Sequence, residues 1–239
     1  MESKLRNILC GDIHGCIEEF EELLKLMSYD VNSDRLILLG DLVDRGPDSI
    51  GVLRKVQQMK IECVRGNHDN KILKWANNNK QHYQNANQKY YHNLTDDDIE
   101  FIFKMPAFIR LDNVIAVHAG LKPYTPVEKQ KPDDLMHLRY TDSNRKFVSL
   151  RTIWKIGKEA ADAHFWTEYW GGPESIVYGH NVCSLDEPLI EEYQTGVKCY
   201  GLDTGCCFGG KLTAMVLETK EIFQVKAKEV YVKSGFESD

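Results

Sequence analysis

The sequence predicts an α/β protein with a parallel strand core, and three observations carry that prediction. Three apolar runs near the start each end in a glycine-rich string with metal-binding side chains: Gly11-Asp12-Ile13-His14-Gly15, Gly40-Asp41-Leu42-Val43-Asp44-Arg45-Gly46 and Gly66-Asn67-His68-Asp69. Asp12, Asp41 and Asn67 follow one another at steps of 29 and 26 residues, close to one strand-helix-strand unit. The stretches between the runs are apolar at helical spacing. A βαβαβ opening of this kind predicts a right-handed parallel core.

Leu5 to Cys10 reads as the first strand. Glu18 to Met27 follows as a helix, with Phe20, Leu23, Leu24 and Met27 on one face. Arg35 to Leu39 is nearly all apolar, as suits a strand buried on both faces. Ile50, Val52, Leu53, Val56 and Met59 mark the second helix, and Ile61 to Val64 the third strand. Residues 77–98 are rich in Asn and Gln and read as a disordered insert or, the favoured reading, a polar, largely helical cap over the site. Tyr83, Tyr90 and Tyr91 in it could stack on a nucleobase or pack the cap down. Asp112-Asn113 signals a hairpin between Phe108–Leu111 and Val114–Val117. Lys122 to Lys146 reads mostly as loop, and Ile153 to Trp170 as helix. Ser175–Tyr178, Cys199–Leu202, Lys211–Glu218 and Ile222–Val225 read as strands. The whole chain, 1–239, is expected to form one domain, because its chemistry-bearing residues span most of it, with a frayed tail at about 227–239.

Bulk properties narrow the function. The apolar share of 42% and the charged share of 28% are ordinary for a globular protein. A formal net charge of −6 argues against general nucleic-acid affinity. Seven cysteines without paired C-x-x-C spacing suggest free thiols rather than structural zinc. No signal peptide or membrane span is visible, so the expectation is a cytoplasmic protein. No DNA, membrane or obligate protein partner is expected.

The strings imply a two-metal site at the edge of the sheet. Residues two apart on a strand point the same way, so Asp12 and His14 can reach one ion. Asp41 has two oxygens and can bridge two ions ~3.5–4 Å apart. Asn67 offers an amide oxygen. His118 in Val117-His118-Ala119-Gly120 and His180 in Tyr178-Gly179-His180-Asn181 offer imidazoles from two further strand ends. One ion would take Asp12, His14 and Asp41; the other Asp41, Asn67, His118 and His180. The mixed nitrogen and oxygen set suits manganese, iron, cobalt, nickel or zinc, with manganese the first choice for activity. Two such ions would leave the centre positive despite its carboxylates, ready for a phosphorylated substrate. His68 suits a general acid oriented by Asp44 or Asp69. Arg45, and secondly Arg139, suit phosphate binding. Each string alone has a bland reading as a turn, cap or hydrogen-bonded histidine; five strand ends in this order do not.

In these residues the chain resembles the calcineurin-like metallophosphoesterases. It is similar to their branch of phosphoprotein phosphatases and bacterial diadenosine-tetraphosphate hydrolases. Asp69 and His118-Ala119-Gly120 resemble the tetraphosphatase side, as does Gly201-Leu202-Asp203-Thr204-Gly205-Cys206-Cys207-Phe208-Gly209-Gly210. The stretch 128–139 is similar to ApaH-like phosphatases. The resemblance implies a four-layer αββα sandwich with the dimetal site at the carboxyl ends of the strands. It also implies hydrolysis by a metal-bound hydroxide, with symmetrical cleavage of dinucleoside tetraphosphates as the leading expectation. Phosphoprotein, polyphosphate or messenger-RNA cap hydrolysis on the same site are the alternatives.

Overall fold

The structure, a computed structural model, describes residues 5–78, 86–193 and 196–233. It opens as β1 (Arg6–Cys10), α1 (Ile17–Leu26), β2 (Asp34–Leu38), α2 (Ser49–Met59) and β3 (Glu62–Cys63). The three strands pair in parallel, as the opening pattern predicts. There follow α3 (Asn67–Asn77), a 3-10 turn at Ala86–Asn93, α4 (Asp96–Lys104), and the hairpin β4 (Phe108–Leu111) and β5 (Val114–Val117). Then come α5 (Pro132–His137), β6 (Tyr140–Thr141), β7 (Phe147–Val148), α6 (Leu150–Ile156) and β8 (His164–Phe165). The chain closes with β9 (Ser175–Tyr178), β10 (Leu189–Glu192), β11 (Lys198–Gly201), β12 (Lys211–Val216) and β13 (Ile222–Lys226).

Two five-stranded sheets carry the fold, in the orders β13-β12-β1-β2-β3 and β10-β11-β9-β5-β4. Strand periodicity sorts their side chains into layers. Leu9, Ile37, Leu39 and Met215 of the first sheet meet Val114, Ala116, Val177, Tyr200 and Leu202 of the second. Their neighbours Ile8, Cys10, Leu36, Leu38, Ala214 and Val216 point the other way, onto Phe20, Leu23, Val52, Leu53 and Val56 of α1 and α2. On the far face of the second sheet, Ile115, Val117, Ile176 and Tyr178 pack with Trp166, Trp170 and Leu135. The result is a mixed α/β sandwich: two sheets face to face, with helices or turns outside each. Burying each large aliphatic side chain contributes roughly 1.5–3 kcal/mol, so the alternation fixes which face of each strand looks inward.

The parallel order has a functional consequence. β1, β2, β5 and β9 all end at the same edge of the sandwich, since parallel neighbours share a direction and the two sheets face each other. The loops after these strands bring Asp12, Asp41, His118 and His180 together.

Two expectations need correction, the 153–170 helix and the frayed tail, and two stretches gain elements. The stretch 153–170 is not one helix: α6 stops at Gly157, whose φ of 86° and backbone N–H to Ile153 O close it, and the chain re-forms as β8 and a 3-10 turn. Lys122–Lys146 holds α5, started by Pro132 at its first turn, as well as β6. β10 went unread because its pattern, Leu189-Ile190-Glu191-Glu192, is that of a half-exposed edge strand. The tail is ordered through residue 233: Lys228 N and Tyr231 Oη donate to the buried Glu19 carboxylate at 2.9 and 2.7 Å, and Val232 N bonds Cys207 O. The remainder of the expected frayed tail lies outside the described residues, as does Tyr83.

Candidate active site

Asp41 sits at the middle of the constellation, just after β2. Its Oδ1 accepts the His68 backbone N–H at 2.8 Å, at the positive N-terminal end of α3. Its Oδ2 lies 3.6 Å from His14 Nε2 and 3.5 Å from His118 Nε2. One carboxylate thus faces two histidines that come from different sheets. Asp12, after β1, accepts the His180 backbone N–H on both oxygens, at 3.0 and 3.1 Å.

The imidazoles are set by their second nitrogens. His14 Nδ1 donates to Val43 O at 2.9 Å and His118 Nδ1 to Leu39 O at 2.7 Å. Each carbonyl fixes the tautomer and leaves Nε2 as an electron-pair donor facing the centre. Asn67 Oδ1 lies 3.0 Å from His118 Nε2. Around these atoms, Asp41, His118 and His180 form one ligand group and His14, Asp41 and His68 another. Converging lone pairs of this kind, all buried, are the donor set of an ion site, so the residues fit a pair of divalent cations. Burial and the Arg45 guanidinium hold His14 well below the usual histidine range. Burial also disfavours charge on His118, but Asp41 and Asp12 outweigh it and push its pKa up to about 10, so Nε2 holds a proton that a bound cation would displace.

The loops are bent to achieve this. His14, Asp41, Asp44, Arg45 and His180 all have positive φ, between 47° and 71°. Side-chain-bearing residues there cost roughly 1–2 kcal/mol each. Cross-loop bonds offset the strain: His14 N to Asp41 O at 2.8 Å, Gly15 N to Leu42 O at 2.9 Å, and Gly46 N to His14 O at 2.7 Å. Gly66 and Gly179 are required by close approach. A Cβ on Gly66 would collide with the Asp41 carboxylate, and one on Gly179 with that of Asp12.

His68 and its orienter are now distinct. His68 Nδ1 is 2.7 Å from Asp44 Oδ2, so Asp44 takes the orienting place. Asp69 does something else: its carboxylate accepts the N–H of Asp41 and Gly66 at 2.9 Å and of Leu42 at 3.0 Å. It stitches the Asp41 loop to the start of α3. Arg45 Nη1 lies 3.0 Å from His14 Nε2, and Arg139 Nε 3.0 Å from His180 Nε2. The two guanidiniums therefore reach the centre at His14, after β1, and at His180, after β9. Arg45 also lies over the Phe208 ring, 5.0 Å from its centroid.

Three neighbours of the ligand and His68–Asp44 groups had no such place in the sequence reading. Asp203 is buried beside Asp12, Arg45 and Arg139; burial pushes its pKa up to about 6. Its signal was the glycine-rich string at 201–210. Tyr90 Oη donates to Asp44 Oδ1 at 2.7 Å, placing part of the cap segment over the His68–Asp44 pair. Tyr91 is buried against Trp75, which favours the packing role for both tyrosines over base stacking. Lys71 lies against the His68 ring.

Among the described residues, no helix is long and apolar enough to cross a membrane. The asymmetrical bis(5'-nucleosyl)-tetraphosphatase PrpE of Oceanobacillus iheyensis is 30% identical, with 95% of each chain covered. The symmetrical bis(5'-nucleosyl)-tetraphosphatase of Wigglesworthia glossinidia brevipalpis is 27% identical, covering 94% of this chain and all of the other. A crystal structure assigned as a diadenosine tetraphosphatase superposes with a TM-score of 0.78 at 30% identity, covering 95% of each chain. Residues 5–218 match the calcineurin-like phosphoesterase family as a whole, and the chain belongs to that family of hydrolases.

Proposed function

We propose that this protein hydrolyses the phosphoanhydride bonds of dinucleoside tetraphosphates at a two-metal centre. One observation carries the reading: a single oxygen of Asp41 lies within 3.6 Å of ligand nitrogens from both sheets, His14 on one side and His118 on the other. That is the placement a bridging carboxylate needs. Asp12 and His14 would complete one ion's ligands; Asn67, His118 and His180 the other's. Two divalent ions there, with manganese the first choice, would neutralise the phosphate and supply an activated water.

The chain's own groups do the rest. Arg45 and Arg139 grip phosphate oxygens from opposite sides with planar donor forks, which orients the phosphorus for in-line displacement. Asp44 holds His68 so that Nε2 faces the departing oxygen, and His68 gives that oxygen its proton. The names of the two relatives point to the dinucleoside tetraphosphate substrate, and they differ in which anhydride is cut.

The test is product analysis with the manganese-loaded protein. Diadenosine tetraphosphate should be consumed far faster than phosphoserine peptides at equal concentration. Two ADP indicate symmetrical cleavage, the leading expectation; ATP with AMP indicates asymmetrical cleavage. Turnover of phosphopeptides alone would replace this reading with that of a phosphoprotein phosphatase.

A further inference from the structure

Lys71 stands one turn along α3 from His68, on the same face of the helix. Its ammonium nitrogen is 3.4 Å from His68 Nδ1 and 3.3 Å from Nε2. Nδ1 is committed to Asp44, so Nε2 is the edge from which a proton can reach substrate. Any atom that accepts it must come within ~2.6–3.2 Å of Nε2. An atom so placed lies ~4–5 Å from the Lys71 nitrogen, so it is the neighbouring oxygens of the same leaving group that come within reach of the ammonium. The leaving group therefore departs past a fixed positive charge.

We propose that Lys71 selects substrates whose leaving group is itself a phosphate. The inference rests on the phosphoanhydride reading above and names what on this chain would favour that bond class. The step is plain hydrolysis. Water oxygen bonds to phosphorus and gives its proton to solvent. The bridging P–O bond breaks, and its electron pair stays with the departing phosphate, which takes a proton from His68. A departing phosphate still carries anionic oxygens next to the protonated one, and these accept charge-assisted hydrogen bonds from the ammonium. A protonated alcohol has none and gains nothing from Lys71. The residue thus acts on the choice between anhydride and ester, not on phosphorus.

The experiment compares the wild type with Lys71→Met and Lys71→Arg, all manganese-loaded, on tripolyphosphate and on phenyl phosphate. For Lys71→Met, kcat/KM on tripolyphosphate should fall about 10- to 100-fold, the range of one charged hydrogen bond, and on phenyl phosphate threefold or less. Lys71→Arg should recover most of the loss. A second readout uses phenyl phosphate as substrate throughout: pyrophosphate should inhibit Lys71→Met at least tenfold more weakly than wild type, while inhibition by orthophosphate changes little. Equal losses on both substrates, or unchanged pyrophosphate inhibition, overturn the role of Lys71. A wild type that turns over phenyl phosphate but no phosphoanhydride overturns the broader reading instead, and the pyrophosphate measurement still decides what Lys71 binds.

Discussion

Asp69 shows how much geometry one carboxylate can set. It accepts three backbone N–H groups from two loops, in a fully buried place. Asp69→Asn puts an amide N–H₂ where one of those donors points. One buried N–H then loses its partner, which costs about 1–3 kcal/mol. Urea unfolding of metal-free protein should show that loss in the midpoint with the slope unchanged; an unchanged midpoint would remove Asp69 from this role. Tyr90 makes the second prediction. Burial beside Asp44 pushes its phenol well above the usual range, so it stays protonated and donates. Tyr90→Phe leaves Asp44 Oδ1 without that donor and loosens the orientation of His68. We expect kcat to fall about three- to tenfold, the worth of roughly one hydrogen bond, with KM nearly constant. A rise in KM alone would mean that Tyr90 contacts substrate rather than Asp44. The glycine-rich strings made Asp44 and His68 readable in sequence, because their spacing is local to strand ends. Tyr90 was not readable as their partner: it is 46 residues from Asp44, in a segment whose composition suggests only polarity.

Elements were legible where one periodicity dominated. α2 is an example: an apolar stripe, Asp48 capping the Gly51 N–H at 2.7 Å, and Lys60 in a left-handed turn at φ 55° to end it. β10 was illegible because it is a short edge strand with no buried face, although it pairs with the neighbouring β11, and the bounds of α6 were illegible because it is short, buries no residue and is stopped by Gly157. The docked tail belongs with these, since its polar composition hides two bonds to Glu19. Strand ends also carry a pH-dependent contact. Arg6 of β1 donates to Asp34 of β2 through Nε and Nη2 at 2.9 and 2.8 Å. That bond, against burial, holds Asp34 below the ordinary carboxylate range. A carboxylate depressed on folding stabilises the native state above its unfolded pKa of about 3.9, and the contribution is lost as pH falls through the lower folded value. Arg6 is partly exposed, so screening keeps the pair to about 1 kcal/mol. Asp34→Asn should therefore be less stable than wild type by about that amount at pH 7, and the gap should narrow as urea titrations move below pH 4. A gap that is constant from pH 7 to pH 3.5 would rule out the charge contribution.

At the scale of the molecule, the site is a meeting of sheets. Asp12, Asp41 and Asn67 come from the first sheet's edge, and His118 and His180 from the second's. The bent loops and the facing carboxylates are destabilising on their own, and cations placed among them would bind only the assembled sandwich. Ligands that bind only the native state stabilise it by mass action, about 2.7 kcal/mol when free ion is 100-fold over Kd. For a chain of this size that is a rise in Tm of roughly 5–10 °C. We therefore expect chelator-stripped protein to melt lower by about that margin, and manganese to restore it. Asp41→Asn should fold yet show little of the restoration, because the oxygen that two ions would share under the proposal has lost its charge. Equal manganese-induced shifts in Asp41→Asn and wild type would mean that the stabilising ions sit elsewhere, and the bridging role of Asp41 would fall with them.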